Sequence, residues 1–314
     1  MDELDVKILR VLISESAIAP SNIQINSSLR KIARRLGADD ATVSIRFRKL
    51  QDSGCMSVWK LVVNPTFFGY SMLDVMVDVQ PESGKADMIR KLKLVQEIIV
   101  LVNFYGKGLK IIMLYNGDKS RSRTVELISR ITNAEKATLY RIALPRSETA
   151  RLTETDLAII RTLADDARRS SVLVGEGLGV STRTVRNRIE KLRREKTLFT
   201  LPNLSLDNLP GVITVYLSYS YANKEIKGSV DRALLSHFDP NYMWSGFSDP
   251  EQGYLVLNAP TIGDVQRFLE WTKEQPGIAS AQVNIPVKLI SFPEKLAELI
   301  KLRRDEQILQ NNPR

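Results

Sequence analysis

Two stretches of this chain are copies of one another. Leu36-Gly-Ala-Asp-Asp-Ala-Thr-Val-Ser-Ile-Arg-Phe-Arg-Lys-Leu50 returns as Leu178-Gly-Val-Ser-Thr-Arg-Thr-Val-Arg-Asn-Arg-Ile-Glu-Lys-Leu192. Gly37, Thr42, Val43, Arg46, Lys49 and Leu50 match Gly179, Thr184, Val185, Arg188, Lys191 and Leu192 at one constant offset. A repeat of this kind constrains the fold more than any single motif, because whatever one copy builds the other must build too.

Each copy has the grammar of a short helix entered from a tight turn. The glycine ends a preceding helix in the left-handed region, and Asp39 or Ser181 then supplies a side-chain oxygen to the next free amides. Val43, Phe47 and Leu50, like Val185, Ile189 and Leu192, recur at i, i+4, i+7 and form one apolar stripe. That leaves Asp40, Thr42, Ser44, Ile45 and Arg48 facing outward in the first copy, and Thr182, Arg183, Thr184, Arg186 and Asn187 in the second.

Upstream of each copy lie two more helical patterns. Leu4 to Leu12 and Ser28 to Leu36 precede the first, and Thr155 to Leu163 and Val172 to Leu178 precede the second. Three helices with a glycine turn before the last predict a helix-turn-helix unit, whose final helix enters the major groove of DNA. On a lone helix the outward residues would be an ordinary solvated face. Charge tips the balance: Ser28 to Leu50 holds seven basic against two acidic residues, and so does Arg183 to Lys196. Each stretch is +5, so together they account for all of the chain's excess of +9 and leave the rest near neutral, and a polyanion is the expected partner. The candidate contacts to double-stranded DNA are Thr42, Ser44, Arg46 and Arg48 in the first copy. In the second they are Ser181, Thr182, Arg183, Thr184, Arg186, Asn187 and Arg188. Hydroxyl, guanidinium and carboxamide groups are those that hold phosphates or read base edges.

At 314 residues, 43% of them hydrophobic, the chain is expected to form several small globular domains. No apolar run nears the roughly 20 residues that span a bilayer. The acidic start Met1-Asp-Glu-Leu-Asp lacks a signal region, so a cytoplasmic, nucleoid-associated place is expected. A single cysteine, Cys55, makes neither an internal disulfide nor a zinc site, and reads as a small packed residue. No catalytic residue, metal site or cofactor is called.

Between the repeats the pattern changes to strands. Met56 to Val63 reads as a short hairpin or wing, with Leu198 to Leu201 as its counterpart. Ser71 to Val79 alternates with period two, placing Leu73, Val75, Val77 and Val79 on one face and Asp74 and Asp78 on the other. Helices over Gly84 to Val95 and Arg121 to Ile131, with strands Ile98 to Phe104, Leu109 to Tyr115 and Lys136 to Leu144, complete a β-α-β-β-α-β order. The second half repeats it with strands Val212 to Ser220, Tyr242 to Phe247, Tyr254 to Asn258 and Ser280 to Val287, around helices near Val230 to Leu235 and Thr261 to Glu274. The expected fold class is α+β, a duplicated winged helix-turn-helix plus ferredoxin-like (βαββαβ) sandwich. The expected domains are 1–63, 64–147, 148–205 and 206–292, with a helix over Glu294 to Leu309 in a tail at 293–314.

These residues resemble the leucine-responsive regulatory protein (Lrp/AsnC) family of bacterial and archaeal transcription regulators. Leu29-Arg-Lys-Ile-Ala-Arg-Arg-Leu-Gly37 is similar to the family's second helix and turn, and Val43 to Gly54 to its recognition helix. Val63-Asn-Pro-Thr-Phe-Phe-Gly-Tyr70 is similar to its hinge, and Val180 to Leu192 looks closer still. The chain looks like a tandem-duplicated form, and a fused double regulator points to an archaeal source. The likeness implies sandwiches paired within one chain as a pseudo-dimer, or between chains as a homodimer. It also implies an amino-acid effector near a Gly-x-x-Asp loop, present as Gly246-Phe-Ser-Asp249 and altered to Gly106-Lys-Gly-Leu109 in the first half; a tight turn is the alternative at both.

The copies are unequal. The first carries about nine extra residues around Ile18 to Ser27, and Asp39 and Asp40 put negative charge where its helix would meet phosphates. It is expected to bind DNA more weakly or to read other bases. Siroheme decarboxylases resemble the same family, but His237 is the one histidine here and no nucleophile elbow or phosphate loop is present. An architectural protein of low sequence preference is the other alternative.

Overall fold

Three helices open each half, and their boundaries follow the apolar stripes. In the computed structural model, α1 (Glu3–Ser14), α2 (Leu29–Leu36) and α3 (Asp40–Asp52) match α6 (Glu154–Leu163), α7 (Ser171–Leu178) and α8 (Thr182–Arg194). The structure describes residues 1–14, 29–149, 151–164, 166–205, 209, 211–246, 249–292, 294, 295 and 298. The extra stretch around Ile18 to Ser27 and most of the helix expected over Glu294 to Leu309 lie outside the described residues. Val43, Phe47 and Leu50 of α3 are buried, as are Val185 and Leu192 of α8. Each such side chain withdrawn from water contributes about 1.5–3 kcal/mol, which is what holds so short a helix in place.

β1 (Met56–Val63) departs from expectation. It does not turn back on itself as a wing; it pairs antiparallel with β6 (Leu198–Leu204), its counterpart in the other half. Leu61 stands opposite Thr200 and Val63 opposite Leu198. Eight consecutive residues with no Gly, Pro or Asn between them offer no hairpin turn, so the free strand edge is met by the other copy. Further bonds knit the two units together. The Ala167 amide donates to Trp59 O at 2.9 Å, and the Ser205 amide to Cys55 O at 2.9 Å. Arg168 lies over the rings of Phe47 and Trp59, 5.4 and 5.6 Å from their centres. The two helix-turn-helix units thus share one apolar core.

Each sandwich has the strand order of a ferredoxin-like fold. The first contains β2 (Ser71–Asp78), α4 (Lys85–Lys93), β3 (Ile98–Phe104), β4 (Gly108–Tyr115), α5 (Gly117–Thr132) and β5 (Ala137–Ile142). The second contains β7 (Ile213–Tyr221), α9 (Lys227–His237), β8 (Tyr242–Gly246), β9 (Gln252–Ala259), α10 (Ile262–Glu274) and β10 (Ile278–Asn284). Their sheets run β5-β2-β4-β3 and β10-β7-β9-β8. Leu73, Val75 and Val77 face α4 and α5, and Val215 and Leu217 face α9 and α10, as period two requires.

A second departure lies at the end of the chain. The single strand expected over Ser280 to Val287 breaks at Ile285, and β11 (Pro286–Ser291) leaves the second sandwich to pair antiparallel with β3, as a fifth strand of the first sheet. Pro286 cannot donate to a ladder, so it suits the start of a strand at a sheet edge.

The strand faces opposite the helices meet between the halves. Phe104 touches Tyr216 edge to face at 5.2 Å, and Tyr140 touches Tyr254 at 6.1 Å. Asp74, on the polar face of a half-buried strand by its sequence pattern, is fully buried here and pairs with Lys110. Burial pushes the Asp74 carboxyl above the ordinary carboxylate range, with the Lys110 charge opposing. Asn64 ties the halves elsewhere. Its Nδ2 donates to Pro145 O and to Lys196 O, both at 2.7 Å, while its Oδ1 accepts from the Thr66 amide at 3.0 Å.

Candidate nucleic-acid interface

The turn before each recognition helix is built as its residues dictate. Gly37 and Gly179 take φ of 62° and 66°, the left-handed conformation that other residues resist. The chain then enters α3 and α8 from an extended residue whose side chain caps the helix. The Thr42 amide donates to Asp39 Oδ2 at 3.0 Å, and the Thr184 amide to Ser181 Oγ at 3.0 Å. The Thr42 amide hydrogen bond holds the Asp39 carboxyl below the usual carboxylate range. In the second unit the approach is tight: a Cβ on Gly175 would stand 2.7 Å from Val180 O.

The candidate contact residues divide into three groups. Arg48, Arg183, Arg186 and Asn187 are exposed on the outer faces. The hydroxyls are engaged locally. Ser44 Oγ donates to Asp40 O at 2.8 Å, Thr42 Oγ1 lies 3.4 Å from Asp39 Oδ2, and Ser181 and Thr184 share a hydrogen bond of 2.8 Å. Thr182 is half-buried.

Arg46 and Arg188, also expected as DNA contacts, form the third group, and both are engaged in ion pairs within their own unit. Arg46 Nη1 pairs with Asp2 and lies 3.3 Å from Asp5 Oδ1. Arg188 Nη1 lies 3.7 Å from Asp156 Oδ2. Asp5 and Asp156 are both buried in the first turn of α1 and α6. These arginines therefore neutralise a buried carboxylate and lock the third helix to the first, at the edge of the apolar stripe rather than on the outer face. Removing either would strand a buried charge. The signal was present in the sequence, since both copies repeat the acid as well as the arginine.

One outward residue carries more than the sequence pattern assigned to it. Ile45 is 67% exposed at the middle of α3, at the place Asn187 holds on α8. Asp40 pairs with Arg30 of α2 at 3.4 Å, which offsets part of the negative charge at that helix start.

At the expected effector loop, the described ends make local contacts. Asp249 Oδ1 accepts from the Glu251 amide at 2.9 Å and the Gln252 amide at 3.2 Å. The ring of Tyr254 lies against Gly246, where a Cβ would meet it at 2.3 Å. Phe247 and Ser248 lie outside the described residues. In the first half the Lys85 ammonium fills the same hairpin, donating to Phe104 O, Gly106 O and Gly108 O at 2.7, 2.6 and 2.7 Å. His237 stacks on Trp271, with centres 3.5 Å apart, in the helical layer of the second sandwich. Among the described residues no group of three His, Cys, Asp or Glu could hold a metal, and no helix is long and apolar enough to cross a membrane. Cys55 is buried, and its thiol donates to Leu50 O at 3.0 Å.

The AsnC-type helix-turn-helix domain matches residues 152–193, which cover α6, α7 and nearly all of α8. The chain thus carries an AsnC-type helix-turn-helix domain in its second half. Among its relatives, the HTH-type transcriptional regulator Ptr1 of Methanocaldococcus jannaschii is 28% identical over 107 residues, covering 34% of this chain and 66% of that protein. The HTH-type transcriptional regulator FL11 of Pyrococcus horikoshii is 31% identical over 85 residues, covering 27% of this chain and 50% of that one. The chain thus spans half to just under two thirds of the length of these archaeal relatives. The crystal structure of the siroheme decarboxylase NirDL superposes with a TM-score of 0.55 at 10% identity, covering 96% of this chain and 99% of that one. At that identity the likeness is one of fold, and it extends over both halves of this chain.

Proposed function

We propose that this chain is a transcription regulator of the Lrp/AsnC type that binds double-stranded DNA through α3 and α8, each half of a pseudo-dimer contributing one recognition helix. The observation that carries this reading is the repeated glycine turn, side-chain cap and exposed basic helix, on two units that share a core. The archaeal relatives, both named transcriptional regulators, support it. Nucleoid association follows from the same reading. A gel-shift series against salt tests it: log affinity should fall linearly with log salt, by about 0.9 for each phosphate neutralised. Loss of Arg183 or Arg186 should weaken binding, whereas a flat salt response would overturn the assignment. The Gly246 to Asp249 segment is the proposed place of an amino-acid effector. A shift in DNA affinity on adding amino acids, abolished by Asp249→Ala, tests that step.

A tetrapyrrole enzyme is the second reading, and its support is the fold shared with NirDL, one structure of which holds an iron-uroporphyrin III analogue. Absorbance after mixing with iron-uroporphyrin separates the two readings. A strong Soret shift would favour the enzyme.

A further inference from the structure

We infer that the two recognition helices read different chemistry: Ile45 packs on the C5 methyl of thymine in one half-site, and Asn187, at the same helical place, pairs with adenine in the other. The inference rests on the DNA-binding reading and specifies what each half of the site contains.

The argument is one of elimination along α3. Arg46 is committed to Asp2 and Asp5, the Ser44 hydroxyl donates to Asp40 O, and Ala41 has no polar side-chain atom where α8 carries Arg183. Asp40 presents a carboxylate and is paired with Arg30. The middle of the outer face is therefore Ile45, 67% exposed, while Val43, Phe47 and Leu50 of the same helix are buried. An exposed aliphatic side chain is ordinary on a protein surface. This one differs in its setting, since exposed Arg34, Arg35, Arg48 and Lys49 lie on the same helix pair. A polyanion held by those cations brings its groove to Ile45. The apolar group a major groove offers there is the thymine methyl, which also separates thymine from cytosine.

On α8 the same place is polar. Asn187 is exposed, as are Arg183 and Arg186 on the same helix. A carboxamide is bidentate to adenine N6 and N7, and guanidinium groups suit guanine O6 and N7. The site is then two unlike halves read by one chain.

Uracil substitution tests this, because it removes the methyl and leaves every hydrogen-bonding group in place. Duplexes are selected from a random pool with the full-length protein, and the half whose motif changes on Ile45→Asn is taken as the α3 half. Replacing thymine by uracil there should weaken the wild-type protein roughly fourfold, the value of one buried methyl. The same replacement should leave Ile45→Ala unaffected, and Ile45→Asn should select adenine at that step. A wild-type protein indifferent to uracil, or Ile45→Ala as sensitive as wild type, would overturn the inference while leaving DNA binding intact. If no duplex is selected at all, the DNA-binding reading falls, and this inference with it.

Discussion

The ammonium of Lys110 stands 3.9 Å from the centre of the Tyr254 ring, across the boundary between the two sandwich sheets. It also pairs with Asp74 on its own sheet, so one cation serves a carboxylate on one side and aromatic faces on the other. The first sheet brings an ion pair to this boundary, and the second brings Tyr216 and Tyr254. A sheet of the first kind facing its own copy would set two buried ion pairs against each other, with Phe104 and Tyr140 in place of Tyr216 and Tyr254. The geometry favours unlike halves.

Removing Lys110 alone should therefore be costly. Lys110→Met leaves Asp74 buried without its cation, with an expected loss of about 3–5 kcal/mol, whereas Asp74→Leu combined with Lys110→Met should be close to neutral. Urea midpoints of the two single variants and the double variant check this. The sign with pH is fixed as well. The folded carboxyl is already raised by burial. Without Lys110 it rises further, so Lys110→Met should be most stable in acid and lose stability as pH climbs through the folded value.

Arg46 and Arg188 should behave as structural residues. Arg188→Ala is expected to lower the melting temperature, because it uncovers the buried Asp156 carboxylate, and to weaken DNA binding only as the unit loosens. Arg183→Ala and Arg186→Ala should weaken DNA binding at an unchanged melting temperature. Thermal unfolding and gel shifts on the same preparations separate the two classes.

The cap at Asp39 predicts a response in acid. Its folded carboxyl is held low, so the cap contributes above the unfolded value of about 3.9 and is lost as pH falls through the folded value. Asp39→Ser keeps the cap without the titration and also removes a negative charge from the start of α3. The variant should lose less helicity than wild type between pH 5 and 2 by circular dichroism. It should also bind DNA more tightly at low salt.

Asn64 concentrates the join between the halves in one side chain. Asn64→Ala leaves Pro145 O, Lys196 O and the Thr66 amide without these partners, for an expected cost of about 2–4 kcal/mol. Asn64→Asp should not restore stability, because a carboxylate supplies no donor to the two carbonyls. Denaturant midpoints of the two variants test both statements.

Much of this architecture is written in local pattern. The stripes of α3 and α8, the glycine turns and the period-two strands are each settled within a few residues, and the structure follows them closely. What escaped is non-local. Nothing near Met56 to Val63 announces that its partner is Leu198 to Leu204, and a reading confined to one unit supplies a wing instead. The break at Ile285 is visible only as Pro286, a residue that fits a loop as well as an edge strand. Arg46 lies three residues from Val43 and so borders the buried stripe. Its direction is settled by Asp5, a carboxylate on another helix.

The crossing of β11 into the first sheet has a consequence for the order in which the molecule is made. Residues 286–291 leave the ribosome long after β3, yet they cover its outer edge. Until they arrive, the first sheet exposes an unpaired edge that invites pairing with other chains. Translation thus closes the first sheet only after the second sandwich has been made, and a chain stopped before Pro286 would leave that edge open.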